Sequence, residues 1–536
     1  MAIEKALITG SKTPSPPSSI ASSTVSRKLS LPNSTSLCSY SSGGGKPLLP
    51  SCFVAPTCTT DIPSACSILS SSLPGKVFFP NSTSYISSLN SYYSDQEQSL
   101  SPSCVVAPTC TADVSKIITI LNTRHLSGSS DGLFAIRAGG HATFSGAANI
   151  ANGVTIDLTN LNGIEFLTSD KSIVSVGPGA RWGAVYDFLQ PHNLTVVGGR
   201  GTSIGVGGYL LGGGISFLGQ QRGWACDASN IVGYEVVLAS GAAVYATANN
   251  QYSDLFLALK GGSNNFGVVT RFDLAAYNQG ELWGGFISYP LTLLESLLAS
   301  FSSFMSPAGY DPHADLLFSV GYINPGGIEI LTVAPYYTKP IVAPPVFQPF
   351  YNTSASQFST MRISNMSDFV AEQDAYNPYG FRQLYMTASF AHTPDIYAEI
   401  YDCYKRSTAL VASITGVGYY MTLQPTPLLN GTNILGLSSS DQRIVIALIT
   451  VSYTQSTDDA TVANAAETFF EGLSALTAKY GVSRSFMYLN YALGSVQKPF
   501  HGYGETNKAK LEAVSEKYDA GGLFQHGVPG GFKLFV

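Results

Sequence analysis

The sequence predicts a globular protein of at least two domains, built from both helices and strands. Three observations carry this expectation. The 536 residues exceed what one hydrophobic core ordinarily organises. Hydrophobic residues make up 45% and charged residues only 12%, a balance that favours burial over disorder. Apolar residues recur at helical spacing in some segments and at strand spacing in others.

The same numbers exclude several classes. Net charge is −6 and the Lys and Arg residues are scattered, so there is no basic stripe for nucleic acid. No apolar run is long enough to span a bilayer. Six of the eight cysteines precede residue 111 and none forms a CxxC pair, which argues against a zinc site. A Cys66–Cys104 disulfide is one pairing among several that the spacing allows. Sequons occur at Asn33, Asn81, Asn193, Asn352, Asn365 and Asn430. Roughly four or five would arise by chance in a chain this rich in Ser and Thr, so they do not establish secretion.

Taken in order, residues 1–50 are rich in Ser, Pro, Thr and Gly without a hydrophobic period, and read as a disordered tail. They lack the apolar core of a secretory signal. Residues 51–62 match residues 103–114 at nine of twelve positions. The second copy leads into a helix, with Thr111 as its cap and Val114, Ile117, Ile118 and Leu121 at helical spacing. It is the working copy, and residues 1–65 form a tail outside the fold. A strand-like stretch over 132–136 then runs into Arg137-Ala138-Gly139-Gly140-His141, with Gly146 beyond it. Paired glycines let a backbone approach a ligand, successive N–H groups can cradle a pyrophosphate, and Arg137 adds positive charge.

A second glycine block spans 198–214. So many glycines destabilise a fold unless bare backbone is needed there, and Ile204, Val206, Tyr209, Leu210 and Leu211 are interleaved as packing residues. It is not a dinucleotide fingerprint: no Gly stands three residues after Gly207, and no ribose-binding acid follows at the expected distance. Residues 231–238 and 243–246 read as a hairpin about Ser240-Gly241. Ser253 caps a short helix through Lys260, and the third block, 261–270, returns to strand. Further on, 331–337 and 444–453 read as strands and 458–479 as an amphipathic helix.

Four segments in this order carry a specific resemblance: Arg137-Ala-Gly-Gly-His141, Gly205-Val-Gly-Gly-Tyr-Leu-Leu-Gly-Gly-Gly214, Gly261-Gly-Ser-Asn-Asn-Phe-Gly-Val-Val-Thr270 and Tyr488-Leu-Asn-Tyr491. Together they resemble the vanillyl-alcohol oxidase and p-cresol methylhydroxylase (PCMH) superfamily, and within it the fungal berberine-bridge-enzyme-like branch. The resemblance covers about residues 66–536. It implies an α+β fold with a two-subdomain PCMH-type FAD-binding domain over 66–277, completed by a C-terminal segment over 481–536. Between them, 278–480 would form a substrate domain with an antiparallel β-sheet flanked by helices.

The resemblance also implies FAD bound covalently through His141. The cofactor contacts it implies are Arg137, Ala138, Gly139, Gly140, His141, Gly146, Ile204, Gly205, Val206, Gly207, Gly208, Gly213, Gly214, Gly267, Val268 and Val269. One covalent bond is expected, because Gly201 stands where many relatives carry a second, cysteinyl link. Ile204 matches the position that gates dioxygen, and its β-branched, short-reaching side chain favours an oxidase. Tyr491 matches the catalytic base, with Tyr488 and Asn490 ordering the site. Leu493 stands where an Asp is usual, and one residue is inserted before Gln497, so the geometry around the base is left open. The implied activity is hydride transfer from a small organic substrate (an alcohol, sugar or secondary metabolite) to the flavin, then to dioxygen with release of hydrogen peroxide, by a monomer. A dehydrogenase using another acceptor, or a flavin-holding protein without catalysis, are the competing readings. Fold and cofactor do not name the substrate.

Overall fold

Three large β-sheets and a two-stranded one, Leu194–Thr195 with Tyr277–Asn278, organise the described residues of the computed structural model, 64–351, 355–438, 443–494 and 496–536. Residues 64–536 form one compact unit. Of the expected tail, 1–65, residues 1–63 with the first copy of the repeat, 51–62, lie outside the described residues, whereas Ser64 caps the helix Ala65–Ser72 and Ala65 is buried in a core, so the fold begins before residue 66.

The first sheet has the order Val77–Phe78, Cys104–Val106, Val154–Asp157, Phe134–Arg137. Its last three strands run parallel. The helix Thr111–Leu126 buries Val114, Ile117, Ile118 and Leu121 in a core with Phe134, Val154 and Ile156. That is the helical stripe the spacing predicts. The cap is different. Thr111 is the first helical residue, Cys110 occupies the cap position, and the Thr111 hydroxyl donates instead to Glu235. Ser253 likewise opens the helix Ser253–Ala258 rather than capping it. Tyr252 holds the cap position there, and its N–H donates to Asn250 Oδ1 at 3.0 Å. Cys66 and Cys104 are joined, tying the helix Ala65–Ser72 to the sheet. Cys110, Cys226 and Cys403 are free thiols.

The second sheet is antiparallel, in the order Ile164–Phe166, Ile173–Val176, Val268–Ala275, Ile231–Val237, Ala243–Ala246. The expected hairpin is its edge, with Val237 opposite Ala243.

The third sheet has ten strands, all pairing antiparallel. Its middle runs Ile328–Tyr337, Ala314–Ile323, Gly418–Pro425, Ile444–Tyr453, Arg382–Ala391. Strand alternation sorts its faces. Leu384, Met386, Phe390, Met421, Leu423, Leu316 and Phe318 enter a core with the helices Leu294–Met305, Tyr397–Val411 and Asp459–Lys479. The alternate residues, among them Asp315, Gln383, Tyr385, Thr387 and Gln424, take the opposite face. Among the described residues no helix is long and apolar enough to cross a membrane.

Candidate cofactor-binding and active site

The first two glycine blocks meet backbone to backbone. A Cβ on Gly139 would overlap the Gly205 backbone, and one on Gly205 would overlap Gly139. Arg181 and Gly205 form an isolated antiparallel bridge beside this crossing. Arg181 fastens both sides, donating to Ser203 O at 2.5 Å and Gly139 O at 3.2 Å. Ala138 lies against Gly207, while Gly208 and Gly146 have open space where a side chain would be. The run Gly212–Gly214 is covered by the C-terminal motif. A Cβ on Gly212 would strike Asn490, and one on Gly213 would touch Tyr488 and Trp224. Val206, Val268 and Val269 send their side chains into hydrophobic cores, which leaves only their backbones for a ligand. Gly267 packs against Val236 and Val237.

Arg137 is fully buried, and its charge is turned inward. Its guanidinium donates to Asp157 at 3.2 Å, to Ser88 O at 2.6 Å and to Ser91 Oγ at 2.5 Å, and lies 4.2 Å from the centre of the Tyr92 ring. Here the guanidinium braces the loop. Past His141, the loop is held by Glu97, whose carboxyl accepts from Gly146 N at 3.3 Å and Ala148 N at 2.7 Å. Burial pushes the Glu97 carboxyl up to about 8, against the pull of those backbone donors.

A line of aromatic rings connects His141 with Tyr491. The imidazole stacks on Tyr93 with centroids 4.0 Å apart and planes 9° off parallel. The Tyr93 hydroxyl lies 3.4 Å from that of Tyr385, whose ring meets Tyr491 edge-on at 6.2 Å. Tyr379 meets both rings edge-on, Tyr93 at 5.3 Å and His141 at 6.2 Å, and is held by a hydrogen bond from Arg181. His141 keeps some accessible surface, yet it is crowded on all sides. Burial, aided by the Arg181 charge, pushes its imidazole down to about 4, so it is neutral at neutral pH. Burial lifts the Tyr93 phenol, and the Tyr385 phenol to about 12.

Tyr491 sits at the end of a 3₁₀ turn, Leu489–Tyr491, at the foot of the third sheet. Its oxygen accepts a 2.8 Å hydrogen bond from Arg200. Arg200 also donates to Gln424 Oε1 at 2.8 Å and faces the buried Asp315 carboxylate at 3.4 Å. Asn490 donates to Tyr209 O and to the Tyr488 hydroxyl, each at 3.0 Å, which locks the turn under the glycine run. Leu493 is buried in the sheet–helix core. Gln497 anchors this stretch, accepting from Leu493 N and Thr387 N at 3.1 Å and donating to Thr387 O.

Ile204 is half-buried, with its Cδ1 3.0 Å from where a Gly201 Cβ would lie. That same point is 2.6 Å from Asp374 Oδ1, so Asp374 fills the space a side chain at 201 would take. The Asp374 carboxyl accepts from Ser203 N at 2.7 Å, and burial raises it.

These residues fit an FAD. The crossed glycine backbones, the open ground at Gly146 and Gly208, and the buried Thr202 hydroxyl, which has no partner among the described residues, suit a long polar cofactor. The sequence singled out His141, Tyr491 and the glycines, but gave no role to Tyr93, Tyr385, Asp374, Arg181 or the Arg200–Asp315–Gln424 group.

Comparison with known proteins agrees. Residues 102–247 match the FAD binding domain family. The chain is 37% identical over 485 residues to the FAD-dependent monooxygenase drtC of Aspergillus calidoustus, covering 87% of this chain and 89% of that one. Its fold is similar to the xylooligosaccharide oxidase of Myceliophthora thermophila C1, with a TM-score of 0.69 at 18% identity over 88% of this chain and 100% of the other. It is also similar to a variant of berberine bridge enzyme in complex with (S)-reticuline, with a TM-score of 0.68 at 15% identity over 86% and 97%. The crossed glycine loops, the capping C-terminal motif and this kinship lead to one conclusion: the chain belongs to the family of FAD-dependent oxidoreductases that includes drtC, built on the fold of berberine bridge enzyme.

Proposed function

We propose that the protein is an oxidase that holds FAD through a single covalent bond to His141 and oxidises a small organic substrate with Tyr491 as the base. The observation that carries this reading is the chain of contacts His141–Tyr93–Tyr385–Tyr491, which links the proposed attachment point to the proposed base. When bound, FAD supplies the acceptor for a hydride and passes the electrons to dioxygen, giving hydrogen peroxide.

The chain's own groups suit their parts. A neutral His141 presents a ring nitrogen lone pair for bond formation, and stacking on Tyr93 fixes the plane in which that lone pair lies. Gly201 offers no thiol for a second link, and Asp374 fills its place. The Tyr491 oxygen faces Arg200, so the phenolate, the form that can take up a proton, would be held against a guanidinium that stays protonated. Asn490 and Tyr488 hold the turn that aims it. In this reading 66–277 and 481–536 form the cofactor domain and 278–480 the substrate domain.

Acid precipitation tests the attachment. The wild-type pellet should stay yellow, and His141→Ala should release the flavin to the supernatant. A colourless wild-type pellet would refute the covalent bond. Stoichiometric hydrogen peroxide during turnover is expected; oxygen incorporated into product without it would point to a monooxygenase instead.

A further inference from the structure

The diphosphate of FAD is a dianion, and glycine backbones offer it N–H dipoles but no cation. The cations beside the glycine segments are mostly spent. Arg137 is fully buried and pairs with Asp157. Lys260 has no exposed surface, and its ammonium donates to Cys226 O and Ile231 O. Arg181 donates to Ser203 O and Gly139 O, and its charge acts on His141, which places it at the end the flavin ring would occupy.

Lys533 is different. It lies in the C-terminal segment, where Gly530 is pressed against the Gly146 carbonyl and Gly531 packs against the Asn264 side chain. That segment therefore touches both the loop after His141 and the third glycine block. The Lys533 ammonium donates to Phe524 O at 2.9 Å and to Asn264 Oδ1 at 3.4 Å. Both acceptors are neutral, and among the described residues no carboxylate pairs with it. Asp519 lies within electrostatic reach, but its carboxylate accepts from Leu523 N at 2.8 Å and Phe524 N at 2.7 Å. An ammonium has three donors, so one is left over. The side chain is half-buried, and unlike Lys260 it keeps a face for a ligand. Taking an ammonium out of water without a counter-charge is costly. Burial pushes this one down to about 7, with Asp519 pulling the other way. An anion set against it would hold it protonated and remove that cost.

We propose that Lys533 supplies the counter-charge for the FAD diphosphate through its third N–H, with Asn264 and Phe524 O holding the ammonium in place. The assignment rests on the FAD reading above and adds that the C-terminal segment brings the cofactor a charge.

Displacement from the full-length, FAD-loaded His141→Ala protein tests it. FAD is held there without a bond, so its release shows as a rise in flavin fluorescence. ADP carries the diphosphate and adenosine does not. ADP should displace FAD at concentrations at least about tenfold lower than adenosine. Lys533→Gln keeps a donor for Phe524 O and drops the charge, so the advantage of ADP should shrink to within about threefold. Equal displacement by the two probes in the parent overturns the assignment. So does an unchanged ADP advantage in Lys533→Gln, even if that variant holds FAD loosely, because Lys533 then only braces the chain. Should Lys533→Gln not fold or not load, acetylation of Lys533 in the parent decides, read by mass spectrometry. Saturating ADP should block it and saturating adenosine should not; equal labelling overturns the assignment. The covalent attachment fails separately. If wild type releases its flavin on acid precipitation, wild type becomes the parent, and the displacement ratio still decides Lys533.

Discussion

Two residues test the proposed chemistry directly. Tyr491→Phe removes only the oxygen that faces Arg200. Flavin content should hold, while anaerobic flavin reduction by substrate should slow by about 10²–10⁴, the usual worth of a general base. An unchanged reduction rate would move the base elsewhere. Ile204→Leu shifts the branch from Cβ to Cγ at constant carbon count, so stability should change by less than about 1.5 kcal/mol. Its side chain already abuts the Gly201 backbone, and the longer reach pushes bulk outward from its own backbone. Mixing pre-reduced protein with oxygenated buffer should then show slower reoxidation than wild type. If reoxidation keeps its speed, Ile204 is a packing residue and the case for dioxygen loses its specific support.

At the scale of elements, periodicity made much of the architecture readable. The helices Thr111–Leu126 and Asp459–Lys479 and the strand Ile444–Tyr453 lie where apolar spacing puts them, because each buries one regular face. Helix starts were misread by a residue at Thr111 and Ser253. Their hydroxyls look like caps in sequence, but what a side chain bonds depends on what the fold brings near, and Glu235 is 124 positions from Thr111. Tyr93, Tyr385 and Arg200 escaped notice for the same reason. Nothing local marks them, and their partners come from other elements, 115 to 291 positions away for Arg200. The loop after His141 has a further testable property. Glu97, in the short helix Asp95–Gln98, keeps its proton to about 8 in the folded protein, against 4.5 as the ordinary value. Between those values folding takes up a proton, so this group's contribution to stability falls as pH rises. The slope approaches about 1.4 kcal/mol per pH unit at most. Glu97→Gln should flatten that part of the profile in urea unfolding at stepped pH. A profile as steep as wild type would assign the slope to other groups.

For the molecule as a whole, the N-terminal helix is fastened by Cys66–Cys104, which closes a 38-residue separation. Replacing both cysteines by Ala should cost about 3–4 kcal/mol from loop-closure entropy. The urea midpoint should fall accordingly, and an unmoved midpoint would show that the helix is held by packing alone. The opposite end of the chain is fastened by contact. The Gly530 backbone is pressed against the Gly146 carbonyl, Phe532 meets Phe144 edge-on at 5.5 Å, and Asn265 donates to Phe532 O. The segment around Gly530 and Phe532 therefore finishes a loop whose glycines stand much earlier in the chain. Until that segment is made, the loop lacks one wall. A stop before Gly530 would spare most of the mass and the whole core behind the ten-stranded sheet while leaving the loop open. The amount of polypeptide in a cell and the amount able to carry a flavin would then be two different quantities.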